Sequence, residues 1–186
     1  MSRFPTFTES FMSRLVNHRA IACAVLLAAV PAAQAASAPS MCHRGDEAMM
    51  SCPLAKGGKT VSMCAKADKT FYYAYGKAGV KPDMVWPTDD APSTGLTFTH
   101  LMYAGATGGN AFAFSNDGSK YVVYAISGTG FEDGGVIVRK DGQKKPVKES
   151  GCADGSKTES DKSELYDAAR ALPEDPDIAA HGLPRG

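Results

Sequence analysis

From residue 47 to residue 149, apolar and polar positions alternate in short runs separated by turn residues. Residues 47–55 and 60–66 flank Lys56-Gly57-Gly58-Lys59. Gly-Gly suits a two-residue hairpin turn, because both central positions tolerate positive φ. Residues 71–76 (FYYAYG) and 84–86 (MVW) follow, and Pro87 stops the second run. Residues 88–95, rich in Pro, Asp and Ser, read as a loop. From 96 to 104, Leu96, Phe98, His100 and Met102 recur at every second position, the period of a strand. Residues 107–110 turn the chain into 111–115, where Phe112 and Phe114 share a face. Asn116-Asp117-Gly118 turns it again into 120–127, and a glycine-rich loop leads to 136–140. Asp141-Gly142 opens a weak last run, 144–149, in which Pro146 marks an edge strand. Seven to nine strands with no long helical pattern predict an all-β domain, a meander closed into a small antiparallel barrel or sandwich. Past position 36 every aromatic residue except Tyr166 lies between Phe71 and Phe131, which locates the core.

The two ends of the chain read differently. Over 160–172, Leu165, Ala168, Ala169 and Leu172 form one apolar helical stripe. Ser160 suits the cap, Asp161 and Glu164 the first turn, Arg170 the last, and Pro173 ends the run. Residues 155–186 carry seven acidic side chains against four basic ones, and past Pro173 this polar composition predicts disorder. At the other end, residues 21–30 (IACAVLLAAV) are apolar, follow Arg14, His18 and Arg19, and precede Ala33-Gln34-Ala35. A basic start, a short apolar run and an A-x-A site predict a signal peptide over 1–35, from a start at Met1 or Met12. Ten apolar residues are too few to span a bilayer. The predicted organisation is a signal peptide (1–35), a linker (36–41), a β domain (42–153) and an acidic tail (154–186), in a periplasmic or secreted protein.

Charge and cysteine usage narrow this further. Lys+Arg and Asp+Glu are both 20, which argues against nucleic acid as a partner. Without residues 1–35, which hold three arginines and one glutamate, 17 basic and 19 acidic residues remain, a net charge of −2. Four cysteines also remain: Cys42, Cys52, Cys64 and Cys152. An even number in an exported chain predicts two disulfides. Their spacing fits neither a zinc pattern nor a C-x-x-C redox pair. A two-residue Gly57-Gly58 turn would set Leu54 against Val61 and Cys52 against Met63, sending Cys64 to the opposite face. The expected bonds are therefore long-range: Cys152 to Cys52 or Cys64, with Cys42 taking the other.

Catalytic signals are sparse. Of His43, His100 and His181, only His100 falls in a strand. A hydrolase with a shallow site near His100 would need a carboxylate within hydrogen-bond reach of it. There is no G-x-S-x-G elbow, and the glycines at 105–109 and 128–130 lack the G-K-[ST] ending of a phosphate loop. Asp89-Asp90 and Glu132-Asp133 read as solvated turn residues. The basic stretch 139–148 suits an anionic surface or glycan, and equally a guarded sheet edge. No cofactor and no metal site is expected. The function expected is non-enzymatic binding of a protein, glycan or envelope component through loops 88–95, 105–110 and 127–135.

Cys52-Pro-Leu-Ala-Lys-Gly-Gly-Lys-Thr-Val-Ser-Met-Cys64 resembles a pattern of small exported bacterial β-proteins of unassigned activity, roughly C-x-L-x-x-G-K-x-V-S-x-C. This chain carries one extra residue before the Gly-Lys pair. Tyr73-Ala-Tyr75-Gly76, Met84-Val-Trp86-Pro87, the Tyr121 to Tyr124 strand and the closing Cys152 extend the resemblance over residues 50–152. It implies export and a β fold and assigns no site. Asp117-Gly-Ser-Lys120-Tyr121 is also similar to a signature of periplasmic lysozyme inhibitors, with Asp in place of the leading Ser. That similarity implies lysozyme as partner and Ser119, Lys120 and Tyr121 as binding residues.

Overall fold

The computed structural model describes residues 39–88 and 91–186. The predicted signal peptide, the start of the linker and the Asp89-Asp90 pair lie outside the described residues. The chain forms two five-stranded antiparallel sheets. The first, in spatial order, is β10 (Thr158–Glu159), β1 (Glu47–Pro53), β2 (Thr60–Ala65), β3 (Phe71–Gly76) and β4 (Met84–Trp86). The second is β5 (Thr97–Tyr103), β6 (Thr107–Asn116), β7 (Ser119–Gly128), β8 (Phe131–Lys140) and β9 (Lys148–Gly151). The second is a meander, as predicted; the first is a meander over β1 to β4, with β10 returning late in the chain to pair with β1. Their inner faces bury one core in a sandwich-like arrangement. Met50, Val61, Met63, Phe71 and Tyr73 from the first sheet meet Phe98, Phe112, Phe114, Val123 and Val136 from the second.

Three local readings are corrected by tertiary contacts. Cys52 pairs with Val61, not Met63, because the β1–β2 connection is wider than two residues and closes with Leu54 N–H donating to the Lys59 carbonyl (2.8 Å). The offset is even, so the faces hold: Cys52 points into the core and Cys64 to the outer face. Residues 107–110 and most of 127–135, read as loops, are ladder positions in β6, β7 and β8. Glycine there is a packing requirement. A Cβ on Gly109 would lie 1.9 Å from the Ala125 carbonyl oxygen. Lastly, Leu96 and Phe98 are buried while His100 and Met102 of the same alternating set are exposed. Strand β5 runs past the end of the core there.

The bonds are Cys42–Cys64 and Cys52–Cys152, separated by 22 and 100 residues and both long-range as expected. The first pins residues 39–44 across the outer face of the first sheet. Ser51 Oγ donates to the Pro39 carbonyl (2.9 Å), and Met41 N–H donates to Ser62 Oγ (3.0 Å). Met41, read as linker, is buried against Cys64, Tyr72 and Ala74.

The tail is ordered structure. Helix α1 (Ser163–Arg170) begins three residues later than predicted. Ser160 does not cap it, because Lys162 takes the cap position; the Ser160 hydroxyl donates to Glu47 Oε1 (3.0 Å) and accepts from Lys162 N–H (3.3 Å). The predicted stripe does pack: Leu165 and Ala169 are buried in the core, with Ala168 and Leu172 against it. Past Pro173, where disorder was expected, helix α2 (Pro176–His181) lies on the outer face of the second sheet. Asp175 caps it, accepting from Ile178 N–H (3.1 Å), and Pro176 occupies its first turn. Ile178 and Leu183 cover Leu101, Ala111, Val122, Tyr124 and Ile137. Two of the acids that suggested disorder are ion-paired: Lys120 to Asp175 (2.6 Å) and Arg139 to Asp177 (2.9 Å). Arg185 pairs with Asp133 and stacks over the Tyr124 ring at 4.9 Å.

These pairs give the strap a pH dependence. The Arg139 hydrogen bond, helped by the Lys120 charge, holds the Asp177 carboxyl below its ordinary value. A depressed carboxylate contributes stability above its unfolded pKa of about 4 and loses it as pH falls through the folded value. The urea midpoint should therefore drop between pH 6 and pH 3 by more in the native chain than in Asp177→Asn. Equal drops would show that the carboxylate makes no net contribution.

Candidate functional site

The clearest concave apolar feature is a slot where the end of β3 and the start of β4 face β7, β8 and β9. Its volume is about 320 Å³. Two-residue periodicity builds it. Tyr73 and Tyr75 point inward from β3, and Met84, paired with Tyr75, does the same from β4. Across the gap, Tyr121, Val136 and Val138 project from β7 and β8. Lys148, paired with Val138 in edge strand β9, reaches back toward the first sheet with Val147 beside it. At the other end of the first sheet, the Leu165–Ala169 face of α1 covers the core; no helix covers this end among the described residues.

Aromatic stacking fixes the floor. Trp86 stacks on Phe114 at 4.1 Å, and Phe114 stacks on Tyr121 at 5.1 Å with the rings 3° from parallel. Tyr73 lies 6.1 Å from Tyr121, ring to ring. Burial pushes the Tyr73 hydroxyl far above its ordinary range, so the floor is uncharged at neutral pH. The mouth is charged. Lys148 Nζ sits 5.1 Å from the Tyr75 ring centroid and donates to the Tyr75 hydroxyl (3.3 Å). Asp83 on the opposite rim is neutralised by Lys59 at 2.6 Å. Slots of this kind, mostly apolar with a few placed polar groups, are the usual form of a small-molecule site.

The residues singled out from sequence fall elsewhere or apart. Ser119 and Tyr121 project to the inner face of β7 and Lys120 to the outer face, so the three do not make one surface. Lys120 is held by Asp175 under the C-terminal strap, and Tyr121 forms part of the slot floor. His100 is exposed, and its Nδ1 hydrogen-bonds Asn110 Oδ1 at 3.2 Å. Its partner is an amide, not the carboxylate a hydrolytic base would use. His43 packs on Tyr72 at 5.2 Å, and His181 Nδ1 lies 3.3 Å from the Asp177 carbonyl. Among the described residues no three His, Cys, Asp or Glu side chains gather into a metal site.

Sequence reasoning missed the slot, although its parts were visible. The alternation in FYYAYG sets Tyr73 and Tyr75 on one face, and the end of the basic stretch supplies Val147 and Lys148. Which aromatic rings stay uncovered depends on where α1 docks, and no local pattern carries that.

Fold and site together define a two-sheet β protein, stapled by two disulfides, with an open aromatic slot. No family model, no curated protein and no solved structure matches the chain.

Proposed function

We propose that this chain is an exported, non-enzymatic binding domain that holds an apolar group of an envelope component in the tyrosine slot. The observation carrying this reading is the slot itself: apolar side chains from both sheets line an uncovered concavity in a molecule whose own terminal segments cover its outer sheet faces. Two disulfides are compatible with an extracytoplasmic place, since such bonds persist in oxidising compartments. No helix among the described residues is long and apolar enough to cross a membrane. Binding is favoured over hydrolysis because the amide partner of His100 supplies no charge to strengthen a base.

The test is titration with the neutral fluorophore N-phenyl-1-naphthylamine, which brightens in apolar surroundings. Saturable binding at one site per chain is expected. Val147 is exposed at the slot wall, so Val147→Asp should leave the fold intact and put a hydrated carboxylate in the ligand's path. Losing one valine contact, about 1.5 kcal/mol, corresponds to about tenfold weaker binding. An absence of saturable binding, or equal affinity in a Val147→Asp protein with an unchanged melting curve, would refute the slot as the site.

A further inference from the structure

The charges around the slot narrow its occupant. The interior offers aromatic and aliphatic surface from Tyr75, Tyr121 and Val138 above the buried Tyr73, and no ionised group. At the mouth the charges do not cancel. Asp83 is matched by Lys59, whereas Lys148 has no carboxylate within 4 Å among the described residues. Lys148 rests on the face and hydroxyl of Tyr75, an exposed contact weak enough to be exchanged for a better one. A cationic ligand would meet this positive rim unfavourably, and a neutral one would leave it unused. An anion would gain a charge-assisted hydrogen bond there.

We infer that the slot takes a single-chain anionic amphiphile, its alkyl chain against Tyr75, Tyr121 and Val138 and its acidic head on the Lys148 ammonium. The inference rests on the reading of the slot as a binding site and adds the ligand's chemical class. Decanoate and decanol serve as the probes, matched in chain length and differing in charge at neutral pH. Each is used to displace the naphthylamine fluorophore from the disulfide-bonded protein. Decanoate should displace it from the native chain, and Lys148→Gln should weaken decanoate at least fivefold while leaving decanol within twofold. Raising the salt concentration should likewise weaken decanoate and spare decanol, since screening acts only on the charged head.

The outcomes separate the two claims. Fluorophore binding without decanoate displacement overturns the anionic class and leaves the slot reading standing. Equal losses for both probes in Lys148→Gln, or none, overturn the role given to Lys148 and with it this inference. Absence of fluorophore binding overturns the slot and the inference together.

Discussion

Replacing Cys52 and Cys152 together by alanine is expected to lower the unfolding free energy by about 4–5 kcal/mol. The bond closes a loop spanning 100 positions, and in the loop-entropy account a longer closed loop withholds more disorder from the unfolded chain. It also joins the end of the first sheet to the end of the second. Beside it, Leu54 bridges Cys152, and Ala55 N–H donates to the Gly151 carbonyl (2.9 Å). The Cys42→Ala/Cys64→Ala pair, whose bond spans 22 positions, should cost about 3 kcal/mol on the same account. Urea unfolding of both variants beside the native protein checks the order. A smaller loss for the long-range bond would mean that residual structure already holds its ends together in the unfolded chain.

Gly109→Ala is expected to cost about 3 kcal/mol or more, a large effect for one methyl group. The added carbon would sit 1.9 Å from the Ala125 carbonyl oxygen and 2.7 Å from the Ile126 Cα. Both are backbone atoms of the neighbouring strand and cannot rotate away. Relief requires parting β6 from β7 in the middle of the second sheet. Gly118→Ala is a useful control, because Gly118 has positive φ and no atom within 4 Å of an added carbon. Thermal melts should place Gly109→Ala well below Gly118→Ala. A reversed order would mean that the β6–β7 ladder adjusts more cheaply than turn strain is relieved.

Much of the fold was legible because its strands alternate cleanly. FYYAYG and MVW gave the observed limits of β3 and β4, and Pro146 rightly marked an edge beside β9. What failed depended on partners distant in sequence. Glycines 108, 109 and 128 signal turns locally, yet here they let two strands approach closely. Asp175 and Asp177 look like solvated tail residues until Lys120 and Arg139, more than 35 positions earlier, are brought beneath them. With those charges paired, Ile178 and Leu183 suffice to hold the segment on the sheet. Strand β10 has two residues and no pattern of its own; it exists because β1 has an open edge. The slot was half legible, since periodicity orients Tyr73, Tyr75 and Tyr121, while the partial exposure of Tyr75 and Tyr121 follows from where the helix docks.

The disulfide pattern has a consequence for how the chain is oxidised. The bonds interleave: Cys52 lies between Cys42 and Cys64, and its partner comes last. Counted from Cys42, oxidation in order of synthesis would join Cys42 to Cys52 first, because Cys64 appears later. Even once Cys64 has emerged, Cys52 must stay a thiol until nearly 90 further residues have followed. The native pairing is thus not the one that sequential oxidation delivers. Under oxidation in that order, thiol–disulfide exchange would have to rearrange the early product, and a shuffling catalyst would speed maturation more than an oxidant alone.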